Sequence, residues 1–459
     1  MHDIAIIGGG PAGYVAAITA ARAGKQVVLI EEKELGGTCL NVGCMPTKAL
    51  LESADTYEQV LHAERFGIEG PLGEARVNWA HVQRYKEGVI QKLVAGVRYL
   101  MKQNQITVIH GSAFFLTDHQ LLVTAEGSEQ LVEAERIIIT SGSEPIPLPF
   151  APFDGEWVLH SSHAMSLAVV PPVLVVVGGG VIGCEFASVY SRMGSKVIII
   201  EMAEQLLPGE DGDIAGVLER QLKRNGVEVH VNSSVEGVDC SAKTVRFRTP
   251  DGLQSIAADA VLVAIGRRPR VGGLNLESIG IRFSTKGIQV DERMQTSLPH
   301  IFAAGDVTGG IQLAHMAFHE GEVAAANACD GDRRVQDRVV PRCIYTAPEV
   351  ASVGLTERQA RAKYGDIRTG EFAFSANGKA LILQETAGKV KVLVEPSFHE
   401  IVGISIVGPR ATELIGQAAL LLHTEMTADA LEDFIAPHPT LSEALFEAVR
   451  GAVGHAIHG

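Results

Sequence analysis

The sequence of 459 residues has few cysteines and no run of basic residues. Six cysteines are too few for a disulfide scaffold in so long a chain, so a close pair of them indicates catalysis. The formal net charge of −15 argues against nucleic acid as a partner, because binding a polyanion requires a clustered basic surface.

Long apolar runs are also missing. Hydrophobic residues make up 46% of the chain, but no stretch approaches the roughly 20 uninterrupted apolar residues that cross a bilayer. The first three residues lead directly into a strand-like segment at 4–7, without the charged region, apolar region and cleavage site of a secretory signal. We therefore expect a soluble, cytoplasmic protein with no membrane insertion.

An internal repeat organises the chain, which is longer than one hydrophobic core usually supports. In each copy an apolar strand enters a glycine turn, a helix follows, and a second strand ends in an acidic residue, Glu31 or Glu201. The helices are expected from Tyr14 and from Cys184. The turn glycines are Gly8, Gly10 and Gly13 in the first copy, and Gly178, Gly180 and Gly183 in the second.

The matched spacing predicts two βαβ units that each bind a dinucleotide. The pyrophosphate is expected at the helix N-terminus, and the carboxylates of Glu31 and Glu201 at the ribose hydroxyls. A single glycine motif of this kind also occurs at ordinary strand-to-helix turns, whereas two copies in matched context favour nucleotide binding.

The domain organisation follows from the repeat. Two further strands end in a Gly-x-x-Pro sequence, at Gly142 and at Gly266. Strand candidates such as 388–394 and helical stretches such as 411–423 predict an α+β domain after them. We predict an α/β protein with two Rossmann-like domains and a C-terminal α+β domain. The predicted boundaries are 1–147 for the first nucleotide domain, 148–270 for the second, 271–341 for a segment returning to the first, and 342–459 for the C-terminal domain.

Two cysteines, Cys39 and Cys44, lie just after the first βαβ unit. They are five residues apart, and Asn41 and Gly43 relax the backbone enough for a small disulfide loop. A zinc site requires further ligands at suitable spacing, and two inert buried thiols are the other alternative. The position directly after a nucleotide turn favours a redox pair over both, and we expect no metal.

The string from Gly36 to Lys48, Gly-Gly-Thr-Cys-Leu-Asn-Val-Gly-Cys-Met-Pro-Thr-Lys, resembles the class I pyridine nucleotide-disulfide oxidoreductases. Residues 296–306 resemble the second flavin motif of that family, so the resemblance covers essentially the whole chain. It implies FAD at the first nucleotide site, NAD at the second, and a redox-active disulfide between Cys39 and Cys44. It also implies a flavin site with Gly142 and Asp306, a Lys48 that pairs with Glu185 near the flavin, and an NAD site with Gly266.

The segment from Ala436 to Glu443 is similar to the lipoamide dehydrogenases within that family, as are residues 345–354 and 407–413. The similarity implies that His438 is an acid/base group oriented by Glu443 and supplied across a homodimer interface. Glu443 also fits a helix capping box that starts at Thr440. The implied reaction is oxidation of dihydrolipoamide with reduction of NAD+. The implied partner is a lipoyl domain, on the acyltransferase core of a 2-oxo acid dehydrogenase complex or on a lipoyl carrier protein.

Three other functions are open to a chain of this kind. A glutathione reductase typically carries arginines for NADPH, whereas Glu201 is followed here by Met202 and Ala203. A mercuric reductase is expected to add a C-terminal cysteine pair, whereas the last cysteine here is Cys343. A non-catalytic flavin-binding subunit has no need of the cysteine pair together with His438. The resemblance therefore favours the lipoamide dehydrogenases within the family, with NAD rather than NADP as the coenzyme.

Overall fold

The computed structural model describes residues 1–125 and 127–458, and it assigns most of them to short strands and helices. The strands are β1 (His2–Ile7), β2 (Val27–Glu31), β3 (Thr107–His110), β4 (Ser112–Thr117), β5 (Gln120–Ala125), β6 (Ser128–Ile139), β7 (Ser143–Pro145), β8 (Val158–Leu159), β9 (Val173–Val177), β10 (Lys196–Ile200), β11 (Glu228–His230), β12 (Ser234–Asp239), β13 (Thr244–Thr249), β14 (Gly252–Ala257), β15 (Ala260–Val263), β16 (Arg267–Pro269), β17 (Phe283–Ser284), β18 (Gly287–Ile288), β19 (Ile301–Ala303), β20 (Arg342–Ile344), β21 (Glu349–Gly354), β22 (Arg368–Ala373), β23 (Lys389–Val394) and β24 (Ile401–Gly408). The helices are α1 (Pro11–Arg22), α2 (Gly37–Val42), α3 (Cys44–Leu61), α4 (Trp79–Gln103), α5 (Ser161–Ala164), α6 (Val181–Arg192), α7 (Gly212–Arg224), α8 (Ala314–Ala328), α9 (Glu357–Tyr364), α10 (Gly378–Leu383), α11 (Ala411–His423) and α12 (Glu443–Ala452). Within the described residues no helix is both long and apolar enough to cross a membrane.

The chain divides into two compact units. The first consists of Met1–Leu50, Ala80–Ile146 and Gly266–Asp337. The second consists of Leu51–Trp79, Pro147–Ile265 and the chain from Arg338 onward. The fold class, α/β with nucleotide-binding sheets and a C-terminal α+β part, is confirmed, whereas the four-segment division of the chain stays a prediction.

The main sheet of the first unit has the strand order β3-β2-β1-β6-β5-β4, with β19 also pairing to β6. Strands β1, β2, β3, β6 and β19 are parallel, and the β4–β5 hairpin adds to β6 in antiparallel fashion. Ile4 and Ile6 of β1 belong to one apolar core, and Ala5 and Ile7 to another. Both faces of the sheet are therefore covered, which explains its nearly continuous apolar strands.

The second unit contains a parallel sheet and two antiparallel ones. The parallel sheet has the order β11-β10-β9-β15-β8, and β12, β13 and β14 form an antiparallel meander. The C-terminal sheet has the order β20-β21-β24-β23-β22, and α11 and α12 pack on it around one apolar core. The predicted helix over 411–423 coincides with α11.

Candidate active site

The first glycine turn joins β1 to α1. Two of its three glycines are required because a Cβ at either position would collide with main-chain atoms of the protein. Gly8 has a φ of +103°, and a Cβ at this position would lie 2.4 Å from the carbonyl oxygen of Thr140. A Cβ on Gly13 would lie 1.8 Å from the carbonyl oxygen of Gly8. A Cβ on Gly10, in contrast, would meet its nearest atom, the Gly37 Cα, only at 3.9 Å. Because the chain itself leaves room at Gly10, this glycine fits a position that faces a ligand.

The second glycine turn, between β9 and α6, repeats this geometry. Gly178 has a φ of +106°, and its Cβ would lie 2.5 Å from the carbonyl oxygen of Ala264. A Cβ on Gly183 would lie 1.9 Å from the Gly178 carbonyl oxygen, and a Cβ on Gly180 would find no atom within 4 Å. The internal repeat seen in the sequence is thus also a repeat of close backbone contacts.

The acidic residue at the end of the second strand is held by the turn in both copies. The Glu31 carboxylate accepts the amide protons of Gly9 at 2.6 Å and of Lys33 at 2.7 Å. The Glu201 carboxylate likewise accepts from Gly179 and, at 2.7 Å, from Ala203. Each carboxylate is therefore fixed beside the residue between the first two glycines of the motif, Gly9 or Gly179. Its contact with a ribose stays a prediction.

The cysteine pair lies on two consecutive helices rather than on an open loop. Cys39 is in α2, and Cys44 is the first residue of the 18-residue helix α3. Gly43 separates the helices, and its Cβ would lie 2.8 Å from the Thr38 carbonyl oxygen. The Asn41 side chain donates to two carbonyls that precede Cys39, that of Leu35 at 3.0 Å and that of Gly37 at 2.9 Å. The helix N-terminus at Cys44 favours a negative charge there.

The two thiols are half-buried and in hydrogen-bond contact with each other. That hydrogen bond, burial and the nearby charge of Cys44 raise the pKa of Cys39, while the Lys48 ammonium acts in the opposite direction. The structure therefore brings together three of the predicted site residues, Cys39, Cys44 and Lys48. The raised pKa of Cys39 favours, in a reduced pair, a proton on Cys39 and a negative charge on Cys44.

Asp306 belongs to a network that the sequence did not predict. It follows Gly305, which has a φ of +78°, and its carboxylate accepts the hydroxyl proton of Ser143. The Arg267 guanidinium donates to the Ser143 hydroxyl at 2.8 Å and to its carbonyl at 2.7 Å. Ser143 and Arg267 lie directly after the predicted site residues Gly142 and Gly266, in strands β7 and β16.

Those two strands pair with each other in antiparallel fashion. The repeated Gly-x-x-Pro sequence was therefore the available signal for the Ser143–Arg267 contact. Gly142 has a φ of +74° and Gly266 one of +125°, so each occupies a conformation that favours glycine.

Glu185 is a buried carboxylate on α6. It accepts the amide proton of Tyr345 at 3.0 Å, a contact within the second unit. Its predicted pairing with Lys48 stays a prediction.

His438 and Glu443 form a hydrogen-bonded pair in the second unit. The ring Nδ1 lies 2.8 Å from the Glu443 Oε1, and the His438 side chain is 78% exposed. Burial alone would raise the pKa of Glu443, but the Thr440 amide and the His438 ring outweigh it, and the pKa lies below its ordinary value. The carboxylate is thus ionised and holds Nδ1, so the opposite ring nitrogen is left to exchange protons.

The capping box expected at Thr440 is wrong. Helix α12 begins at Glu443, and its N-cap is Ser442. The Thr440 amide does donate to the Glu443 Oε2 at 2.8 Å, but the Thr440 hydroxyl donates to the Pro437 carbonyl and does not cap the helix. The Glu443 carboxylate therefore joins the His438 segment to the first residue of the helix.

Family models match two parts of the chain. Residues 2–321 match the pyridine nucleotide-disulphide oxidoreductase model, and residues 340–449 match the dimerisation domain of the same group. A dihydrolipoyl dehydrogenase of Bacillus subtilis (strain 168) is 56% identical over 455 residues, which are 99% of both chains. A dihydrolipoyl dehydrogenase of Geobacillus stearothermophilus is 40% identical over 99% of this chain and 96% of its own.

Solved structures agree with this similarity. LpdA from Mycobacterium tuberculosis is 29% identical, with a TM-score of 0.90 over 98% of this chain and 99% of its own. The HOCl-induced flavoprotein disulfide reductase RclA from Escherichia coli is 30% identical, with a TM-score of 0.86 over 97% of this chain and 99% of its own.

Proposed function

This chain belongs to the pyridine nucleotide-disulphide oxidoreductase family, and on that premise we propose that it oxidises dihydrolipoamide to lipoamide with reduction of NAD+ to NADH. The observation that carries the proposal is the contact between the Cys39 and Cys44 thiols at the start of α3. The relatives named dihydrolipoyl dehydrogenase, which match this chain over almost its whole length, support lipoamide as the disulfide substrate rather than glutathione.

The residues of the first unit fit FAD. Gly10 leaves space at the N-terminus of α1, Glu31 is held by the amide of the preceding Gly9, and Asp306 is oriented by Ser143. The Gly180 and Glu201 pair of the second unit fits NAD in the same way. When bound, FAD supplies the two-electron relay between the reduced cysteine pair and NAD+. Lys48, Gly142, Glu185 and Gly266 are proposed to complete the two sites.

The chain's own residues carry the thiol chemistry. His438 takes the proton of one dihydrolipoamide thiol, and the resulting thiolate attacks the Cys39 sulfur of the Cys39–Cys44 disulfide. The disulfide bond breaks, and Cys44 leaves as a thiolate that the N-terminus of α3 and Lys48 stabilise.

The second thiol of the substrate then attacks the mixed disulfide. Lipoamide is released, Cys39 takes the proton held by His438 and leaves as a thiol, and His438 accepts the proton that the second thiol loses, so the cysteine pair has gained two electrons. Glu443 keeps the His438 ring oriented and stabilises its protonated form throughout, as an acidic residue does for histidine in a catalytic triad.

We further propose a homodimer in which His438 is supplied to the cysteine pair of the partner subunit. The match to a dimerisation domain and the high exposure of His438 support this arrangement. The proposed protein partner is a lipoyl domain, on the acyltransferase core of a 2-oxo acid dehydrogenase complex or on a lipoyl carrier protein.

The experiment that tests the function is a comparison of substrates with the purified protein. We expect about one FAD per chain, reduction of NAD+ by dihydrolipoamide, and little reduction of oxidised glutathione by NADH. In Cys39→Ser, where Cys44 keeps its thiol, we expect the long-wavelength absorbance of a thiolate beside oxidised flavin. Absence of that band would contradict the order of the two sulfurs, and glutathione turnover matching that of lipoamide would contradict the substrate.

A further inference from the structure

A cavity of the second unit lies between helix α7 and the adjoining ends of strands β22 and β23. Its volume is about 420 Å³, and it is lined on one side by α7 and on the other by Ala373 of β22 and by residues 387–389. The volume falls within the range of about 300–1,000 Å³ that is usual for small-molecule sites. None of the described residues that line it belongs to the proposed active site.

Helix α7 faces the cavity with two arginines one turn apart. The side chains of α7 that line the cavity recur every three or four residues and therefore share one face of the helix: Asp213, Val217, Arg220, Gln221 and Arg224. Like charges four residues apart destabilise a helix. The helix dipole favours cations in the last turn, where Lys223 and Arg224 lie, but Arg220 lies one turn earlier. A bound anion would remove the repulsion between the two arginines.

The charges of these two arginines are not balanced by carboxylates. Over residues 1–125 and 127–458, neither Arg220 nor Arg224 forms an ion pair, although the chain has 54 acidic and only 39 basic residues. Lys223, in contrast, pairs with Glu219 at 2.7 Å. The Arg220 side chain folds back along α7, since a Cβ built on Gly216 would lie 3.3 Å from its Nη1. Both guanidinium groups therefore keep donors available to a ligand.

The opposite wall of the cavity is fixed by the C-terminal sheet. Gly388 has a φ of +115°, and its Cβ would lie 1.8 Å from the carbonyl oxygen of Val407 on β24. Only a glycine lets the chain approach β24 this closely. The strand that follows, β23, pairs with β22 on one side and with β24 on the other. The cavity therefore has a rigid wall and needs little ordering when a ligand binds.

The described residues that line the cavity include one carboxylate, Asp213, and two lysines balance its charge. The Asp213 carboxylate lies 2.7 Å from the Lys389 Nζ and 3.1 Å from the Nζ of Lys391, which is buried. Three further carboxylates contact these lysines but do not line the cavity: Asp211, Glu357 and Glu371. The arginines therefore give the cavity a surplus of positive charge.

We propose that this cavity binds a small polyvalent anion, a molecule that carries two or more phosphate or carboxylate groups. The guanidinium groups of Arg220 and Arg224 each donate to the oxygen atoms of one such group, in the bidentate geometry that arginine favours. Residues four apart on a helix have Cβ atoms about 5–6 Å apart, so a ligand with two anionic groups fits better than a single ion. The site is independent of the proposed reaction.

Anion binding to FAD-loaded protein saturated with NAD+ tests the site, because NAD+ occupies the second glycine turn. Isothermal titration at low ionic strength is run with pyrophosphate and, separately, with citrate. We expect about one equivalent of at least one of these anions to bind. Binding of pyrophosphate alone identifies a phosphate ligand, and binding of citrate alone a carboxylate ligand. Arg220→Ala and Arg224→Ala should each weaken binding by at least about tenfold, the loss expected for one hydrogen-bonded charge.

Two further variants separate a specific site from general attraction to positive charge. Lys223→Ala removes a cation of the same helix that does not line the cavity, and it should leave binding unchanged. Arg220→Lys keeps the charge but removes the planar fork, and it should still weaken binding. Unchanged FAD content and unfolding temperature in each variant exclude misfolding. The proposal would be overturned if neither anion bound, if binding survived both alanine substitutions of the arginines, or if Lys223→Ala weakened it equally.

Discussion

The loop after each βαβ unit returns to its glycine turn through the same hydrogen bond in both copies. In the first copy the Gly36 amide donates to the Gly9 carbonyl at 2.8 Å, and in the second the Leu207 amide donates to the Gly179 carbonyl at 2.9 Å. Both donors have a positive φ, +90° for Gly36 and +49° for Leu207. Since leucine adopts this conformation only at an energetic cost, the hydrogen bond and not the residue type sets the geometry.

The two turns differ in what lies beside them. Gly37 packs so closely on the first turn that its Cβ would lie 2.6 Å from the Gly10 Cα, and the chain continues from there into the cysteine pair. At Gly180 of the second turn a Cβ would meet no atom within 4 Å. One repeated unit therefore has two forms, one lined by its own chain and suited to a retained cofactor, the other open and suited to an exchanging coenzyme.

The largest effect is expected from a methyl group placed in each turn. The added Cβ of Gly13→Ala would lie 1.8 Å from a backbone oxygen, and that of Gly183→Ala 1.9 Å from the equivalent one. Overpacking typically costs about 1–3 kcal/mol. We expect Gly13→Ala to be purified without FAD and inactive, and Gly183→Ala to keep FAD but lose its reduction by NADH. Flavin absorbance and rapid-mixing reduction measure both.

Gly96→Ala is the control, because Gly96 lies in α4 and its Cβ would meet no atom within 4 Å. It should keep both FAD and activity. If Gly183→Ala lost FAD as completely as Gly13→Ala, the two turns would not serve separate nucleotides.

A substitution of His438 should slow reduction of the flavin by dihydrolipoamide without slowing its reduction by NADH at the second turn. His438→Gln keeps approximate size and hydrogen bonding but removes the group that exchanges a proton near neutral pH. Dihydrolipoamide oxidation should fall by roughly 10²–10⁴-fold, the usual contribution of general acid/base catalysis. Hydride transfer from NADH at the second turn should survive. Stopped-flow reduction of the flavin by each substrate measures the two half-reactions.

Glu443→Gln is the companion variant and should show a smaller loss of the same kind, because the ring remains but is less well oriented. Equal slowing of both half-reactions in His438→Gln would place the defect in folding or flavin binding. Slowing of neither would remove His438 from the mechanism.

The acidic residues of the two turns should respond differently to the same change. Glu201→Gln removes the charge that repels a 2′-phosphate, so we expect the preference for NAD+ over NADP+ to narrow by about tenfold, or about 1.4 kcal/mol. Glu31→Gln should instead weaken FAD retention and leave the coenzyme preference unchanged. The ratio of kcat/KM values for the two coenzymes, measured in both variants, checks this. A preference unaltered by Glu201→Gln would contradict the assignment.

The smallest expected effect is a change in the pH dependence of stability, through a glutamate of α8, the helix that packs beside the first turn. Glu320 of α8 accepts the Gly305 amide at 2.6 Å, and burial raises its pKa to about 7 from an ordinary 4.5. The fold holds this proton more tightly than the unfolded chain does. The contribution of protonated Glu320 to the free energy of unfolding is therefore complete below pH 4.5 and is lost as the pH rises through about 7.

Glu320→Gln removes this titration while keeping a hydrogen-bond acceptor for Gly305. We expect thermal unfolding of the parent protein to shift downward between pH 5 and 7.5 relative to the variant. Parallel curves for the two proteins across this range would show that Glu320 ionises normally.

Much of the fold was predictable, because the βαβ pattern lies within short stretches of sequence and occurs in two copies. The starts of the two helices were not: α1 begins at Pro11 and α6 at Val181, each three residues before the expected start. The third glycine of each motif lies inside the helix, where the missing Cβ lets the first helical turn approach the preceding strand. A pattern of apolar residues does not show such an approach.

The site was predictable where its residues are close in sequence, as for Cys39 with Cys44 and for His438 with Glu443. The helical conformation of the cysteine segment was not, because glycine-rich sequence favours a loop. The contact of Ser143 with Arg267 was missed as well, since those residues meet only through the pairing of β7 with β16.

The pairing of β19 with β6 also determines the order of events during synthesis. Ile301 lies opposite Ile137 in that pair, so the first nucleotide sheet gains its last parallel strand 164 residues later in the chain. A ribosome that adds about 5–20 residues per second needs roughly 10–30 s to cover that interval. During this time the β6 edge of the nascent sheet lacks its neighbour, and the segment that carries Asp306 has yet to be made.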